Sequence, residues 1–225
     1  MIEVKLPRLG KIHLGVPMEG RPFPKAVDYF VCPSEVQVVF GEKPKKLEVM
    51  FHSDNLEEIF PTAMKWYIRS KDRTTTLACK GNYDVAQRFN FNTKQYDEIT
   101  CPCEKFQLEK KCKFIGNLFF MIPQVSVGGL YQIDTSSYNS IKQLKGTMNI
   151  MIANPGVQFP FTKMILSLNP MTVTPKGQSF STTIYTMSLE VGGIDKLESV
   201  EPNLSERKID ADELPEDLYS QEELG

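Results

Sequence analysis

The 225-residue chain carries 26 Lys and Arg against 28 Asp and Glu, a net charge of −2, and 41% hydrophobic residues. It is long enough to bury one substantial core or two small ones, and one domain with an insertion is the simpler reading. No apolar run approaches the ~18 residues of a membrane span, and MIEVKLPRLGKIHLG lacks the apolar stretch of a signal peptide, so a soluble cytoplasmic protein without membrane partners is expected.

In chain order, the first thirty residues are punctuated by Pro7, Gly10, Gly15, Pro17, Gly20, Pro22 and Pro24. Regular helix does not persist through that spacing. Arg8, Lys11, Arg21 and Lys25 interleave with the breakers, which predicts an extended arm or loop presenting positive charge. From Asp28, DYFVCPSEVQVVFGEKPKKLEVMF reads as two β-rich runs about the turn-like GEKPKK, with Leu47, Val49 and Phe51 alternating against Lys46, Glu48 and Met50. SDNLEEIF predicts a short helix capped by Ser53 or Asp54 and ended by Pro61. AMKWYIRSK is ambiguous between strand and helix, and RTTTLAC is strand-like because its threonines favour extended chain. Trp66, the sole tryptophan, reads as a core anchor.

Four of the five cysteines, Cys79, Cys101, Cys103 and Cys112, then fall within 34 residues at the spacing C-x21-C-x-C-x8-C. The residues between them are polar and lack a long apolar period. A structural zinc site would stabilise such a segment, since four thiolates close a tetrahedron and leave no open position for catalytic water. The other reading is a set of free thiols, because the Cys-x-Cys pair departs from the Cys-x2-Cys knuckle of zinc ribbons. Disulfides are disfavoured in a reducing cytoplasm.

Beyond Cys112, NLFFMIP and GGLYQIDTSS read as strands joined around SVGG. SSYNSIKQLKGTMNIMIAN places Ile141, Leu144, Met148 and Met151 or Ile152 at helical spacing, behind a cap at Ser136 or Ser137. TKMILSLNP and SFSTTIYTMSLEV form a strand pair across a turn at Pro175, Lys176 and Gly177. The predicted fold is therefore α+β, a mainly antiparallel sheet with a cysteine-rich zinc-binding insertion and one longer amphipathic helix. The predicted domain spans 1–195, with the zinc-binding lobe at about 79–112. Residues 196–225 form an acidic tail: from Glu201 onward nine acids face only Arg207 and Lys208, a charge of −7 that leaves +5 on residues 1–200. Such a tail is read as disordered or weakly helical, first as a solvated terminus and second as a contact for a basic partner or a deterrent to non-specific DNA binding.

Enzyme signatures are mostly missing. The chain has no phosphate loop, no dinucleotide fingerprint, no nucleophile elbow and no H-E-x-x-H pair, and His13 and His52 are its only histidines. A protein that is not an enzyme is the expectation.

The succession GRPFPKAVDYFVCP, FGEKPKKLEVMF, LACKGN, CPCEKFQLEKKC, LFFMIPQVSVGGLYQIDTSSYNSI and TVTPKGQSFSTTIYTMSLE resembles the recombination directionality factors of phages that use large serine integrases, over about residues 5 to 190. The resemblance implies a DNA-recombination protein of the bacterial host cytoplasm that binds its integrase, activates prophage excision between hybrid attachment sites and inhibits integration. It implies contact with the integrase's coiled-coil and zinc-containing C-terminal region, and contact with attachment-site DNA through the integrase. Cys79, Cys101, Cys103 and Cys112 match the family's metal-binding cysteines, which implies structural Zn2+. Phe89, Phe91, Tyr96 and Phe106, near those cysteines, are candidate partner-binding anchors, because aromatics dominate interface hot spots. A zinc-stabilised DNA-binding accessory protein is the alternative, on the +5 body, the basic arm and the aromatic-laced lobe.

Overall fold

The structure, a computed structural model, describes residues 6–19, 24–69, 75–104, 111–154, 159–174 and 180–191. In chain order its elements are β1 (Arg8–Val16), β2 (Lys25–Val31), α1 (Ser34–Phe40), β3 (Lys46–Val49), α2 (Leu56–Ile59), β4 (Thr62–Arg69), β5 (Thr75–Gly81), β6 (Val85–Asn90), β7 (Gln95–Thr100), β8 (Lys113–Ile122), β9 (Ser126–Thr135), α3 (Tyr138–Ala153), β10 (Met164–Val173) and β11 (Thr182–Val191). The strands form an eight-stranded sheet, ordered β2-β1-β9-β8-β4-β5-β6-β7, and a three-stranded sheet, ordered β11-β10-β3. Among the described residues every ladder between named strands is antiparallel except that of β1 with β9, so the strand-rich α+β expectation stands, with a mixed large sheet.

The core lies between one face of the large sheet, the small sheet and α3. Strand alternation sends Ile12, Leu118, Phe120, Tyr131 and Ile133 inward from β1, β8 and β9. They meet Leu47 and Val49 of β3, Met164, Leu166 and Leu168 of β10, and Met187 and Leu189 of β11. Helix α3 adds Ile141, Leu144, Met148 and Met151, the stripe its sequence period predicts. Ser137 caps it by accepting from the Ser140 amide. The Ser140 hydroxyl accepts from the buried Met187 amide at 3.1 Å, tying the helix to β11. Gly116 admits the Phe60 ring: a Cβ there would lie 2.7 Å from it.

Several sequence expectations give way to the fold. The basic N-terminal segment is no arm; β1 is an interior strand between β2 and β9, with irregular register at Gly10 and Gly15. Glycine at such bulges lets the ladder bend where a side chain would obstruct it. Lys25 begins β2, whereas Arg21 lies outside the described residues. The first β-rich run splits after Val31, and SEVQVVF is α1. Pro33 starts that helix without a side-chain cap bond, and Gly41 ends it at φ 85°, a backbone angle that glycine tolerates. Asn55 caps α2, its side chain accepting from the Glu57 amide, in place of Ser53 or Asp54. The SVGG segment belongs to β9, and the turn is at residues 123–125. The Pro175–Gly177 turn and residues 196–225 lie outside the described residues.

The stretch from Cys79 onward, read from sequence as an inserted lobe, contributes the end of β5 together with β6 and β7 to the large sheet. Among the described residues, none of the 24 in the main core cluster comes from those three strands. They therefore project past the apolar centre.

Truncating Leu144, which is 0% exposed, opens a cavity in that centre. Leu144→Ala is expected to lower stability by about 3 kcal/mol in urea unfolding while leaving native secondary structure intact. Half-buried Asp134 sets an acid limit. Burial alone would raise its carboxyl, but hydrogen bonds from Lys11, Gln132 and Asn117 and the Lys11 charge hold it below its ordinary value. Its contribution is present at neutral pH and is lost as pH falls through the ordinary carboxylate range to the lowered folded value. Asp134→Asn should flatten that acid limb of stability against pH, and an unchanged profile would refute the assignment.

Candidate functional site

The inward-facing side chains of the distal strands replace core packing with sulfur. Cys79 on β5 stands opposite Arg88 on β6, which stands opposite Asp97 on β7, so the three share a face. Gly81 and Ala86, two residues along, continue it. Cys101 follows β7, Cys103 follows the cis Cys101–Pro102 bond, and Cys112 immediately precedes β8. All four sulfur residues line one cavity of about 10 Å³ together with Met64, Gly81, Ala86, Ile99 and Thr100. The packing is tight: a Cβ on Gly81 would lie 2.7 Å from the Cys101 sulfur.

Electrostatics also records the convergence. Burial, followed by the neighbouring Cys79, Cys103 and Cys101 thiols, pushes the Cys112 thiol up to about 11. Burial likewise raises Cys79, opposed by the charge and hydrogen bond of Arg88. Arg88 donates through Nη2 to the Cys103 sulfur at 3.0 Å. The Arg88 guanidinium lies 5.9 Å from the Trp66 ring centroid and the Lys111 ammonium 5.5 Å. Trp66 is thus half-buried beside the cysteines, carrying two cations, and is not an anchor of the main core.

As they stand, no three or more His, Cys, Asp or Glu side chains among the described residues are gathered into a metal-holding group. The fold nevertheless brings the four cysteines to one cavity, and a structural ion, where one binds, draws such donors into its tetrahedron. The donor set would suit a soft borderline cation: four sulfurs, no water-bearing carboxylate, and Arg88 beside Cys103 to offset part of the negative charge of four thiolates around a divalent ion. Cys32 stands apart. It is 6% exposed within the main core, its carbonyl accepts from Gln37 Nε2 at 2.7 Å, and burial pushes its thiol up to about 12.

The aromatic candidates lie elsewhere. Phe89 pairs with Tyr96 across β6 and β7 on the face opposite Cys79, so these rings do not pack around the sulfurs. Phe89 meets Phe91 edge-to-face at 5.1 Å and Tyr96 at 5.3 Å, forming a knob near the β6–β7 hairpin tip. Phe91 is 49% and Tyr96 53% exposed. Phe106 lies outside the described residues. Sequence reading missed Arg88 as a partner of the cysteine site and Lys111 as a cation over Trp66. Arg88 carries a signal only in hindsight, as the single cation inside the alternating run VAQRFN.

A family model, Gp3-like, recombination directionality factor-like, matches residues 9–192. No curated protein and no solved structure gives a significant match. Among the described residues no helix is long and apolar enough to cross a membrane.

The burial of Cys32 predicts its chemistry, since the thiolate is the reactive form. Alkylation of the native protein at mildly alkaline pH, followed by peptide mass spectrometry, should leave Cys32 unmodified, and the same treatment in denaturant should label it. Rapid native labelling would contradict the buried placement.

Proposed function

The chain belongs to the recombination directionality factor-like family, and from that membership we propose that it binds a phage large serine integrase, activates excision between hybrid attachment sites and inhibits integration. The supporting observation is the extent of the match, which runs from β1 to the end of β11 and so takes in both sheets, α3 and the cysteine site. The protein acts by binding rather than by catalysis, in the cytoplasm of the bacterial host, and reaches attachment-site DNA through the integrase.

The physical mechanism is a shift of populations. Integrase arms that adopt two arrangements respond only to a ligand that binds one of them better, and equal affinity shifts nothing. A rigid distal platform can supply that discrimination. Cys79, Cys101, Cys103 and Cys112 would hold a structural Zn2+ that fixes β5, β6 and β7 where apolar packing is thin; the ion supplies cross-linking, not reaction chemistry. The knob of Phe89, Phe91 and Tyr96 on the opposite face then meets the coiled-coil and zinc-containing C-terminal region of the integrase.

A recombination assay with the large serine integrase encoded nearest this gene tests the reading. Hybrid-site excision should appear only when the protein is added, and integration should fall. Cys101→Ser should lose bound zinc by elemental analysis, loosen the distal strands by hydrogen exchange and abolish both effects. Full activity in a metal-free preparation would remove the zinc from the account; unchanged recombination with the wild-type chain would remove the function.

A further inference from the structure

The outward face of the large sheet accumulates cations at a cost to itself. Lys113 of β8 stands opposite Lys65 of β4, which stands opposite Lys80 of β5, which stands opposite Gln87 of β6. Directly opposed residues share a face, and like charges there destabilise the ladder. Lys65 is half-buried, and its ammonium is held below its ordinary pKa by burial first and by the Lys80 charge second. Its Nζ donates to Asn117 Oδ1, while the Asn117 amide N–H donates to the Asp134 carboxylate.

Beside this row runs a groove of about 530 Å³, lined in part by Lys65, Lys80, Asn82, Gln87, Asn117 and Phe119. Its volume falls in the ~300–1,000 Å³ range of ligand clefts, and its walls carry the Lys65 and Lys80 ammonium groups against one lining carboxylate, Glu57. The core residues of β8 and β9 project from the other face. Gln87 precedes Phe89 by two residues on β6, so the aromatic knob stands on the same face as the lysine row.

Two observations favour a protein over a nucleic acid here. The knob's rings pack edge-to-face on one another instead of standing as separate platforms for unstacked bases. Acids also interrupt the cations: Lys11 pairs with Asp134, and Gln87 donates to Glu98 at 3.2 Å. A phosphate-tracking groove relies on uncompensated cations.

We infer that this groove is an anion-recognition site for carboxylate side chains of the recombinase partner, an acidic segment that lies along the lysine row while the knob anchors its apolar side. The inference rests on the integrase reading above and adds the chemistry of the surface recognised. Electrostatic complementarity of this kind governs register and association rate, and it weakens with salt.

The test is binding of the full-length protein to the purified, immobilised integrase at low and high salt, with wild type, Lys80→Glu, Lys80→Gln and Tyr96→Ala. Lys80 is exposed, and a glutamate there faces Lys65, so folding is expected to survive; thermal melting verifies it. Lys80→Glu should weaken low-salt binding about tenfold and flatten its salt dependence. Lys80→Gln should fall between it and wild type, and Tyr96→Ala should lose affinity equally at both salt concentrations. Wild-type binding that is insensitive to salt and to Lys80→Glu would overturn the groove assignment while leaving the integrase reading intact. Absence of any wild-type binding would overturn both. Lys80-dependent binding of attachment-site DNA without integrase would reassign the face to nucleic acid.

Discussion

Burial of one face of the large sheet against the small sheet and α3 is the constraint on which the rest of the molecule depends. That contact removes Ile12, Leu118, Phe120, Tyr131 and Ile133 from water and fixes their register, because a one-residue slip would turn Leu118, Phe120 and Ile133 outward. It covers only part of the sheet. Among the described residues β5, β6 and β7 contribute nothing to the main cluster, and their ladder extends beyond it. A hydrogen-bonded ladder without a packed face is weakly held. The convergence of four sulfurs on the uncovered inward side answers that deficit, and the proposed Zn2+ would turn convergence into a covalent-like tie.

The two faces of the distal strands then divide the labour. Inward, Cys79, Gly81, Cys101, Cys103 and Cys112 line a space of about 10 Å³, and Arg88 donates to the Cys103 sulfur. Outward, the same strands present Lys80, Gln87, Phe89 and Tyr96. Alternation along a strand couples these roles: whatever stiffens the sulfur side holds the outward side chains in fixed relation. A surface that must distinguish two arrangements of a partner benefits from such rigidity, since a platform that adapts to both would discriminate between neither.

Period and punctuation made much of the fold legible. The stripe from Ile141 to Met151, the strand alternation at Leu47 and Val49, and the β10–β11 pair follow from side-chain spacing, because each element meets the same core through a repeating face. SEVQVVF misleads by composition: its valines favour a strand, yet it forms a single short helix bounded by Pro33 and Gly41, with only Val36 buried. The Pro- and Gly-rich start misleads in the opposite sense. β1 is held by β2 and β9, more than a hundred residues apart in the chain, and local pattern carries no trace of that pairing. Phe89 and Tyr96 were placed near the cysteines along the chain, and strand parity sets them on the other face.

The sequence by itself determined the strand-rich α+β class and the long helix with its buried stripe, since these depend on side-chain spacing within short windows. Tertiary structure alone decided that the cysteine segment continues the large sheet, that Arg88 donates to the Cys103 sulfur and with Lys111 lies over Trp66, and that Lys113, Lys65 and Lys80 stand in one row. The physical reason is cross-strand register: it sets residues from separate parts of the chain about 5 Å apart, and it is chosen by the global burial of apolar faces rather than by any local preference.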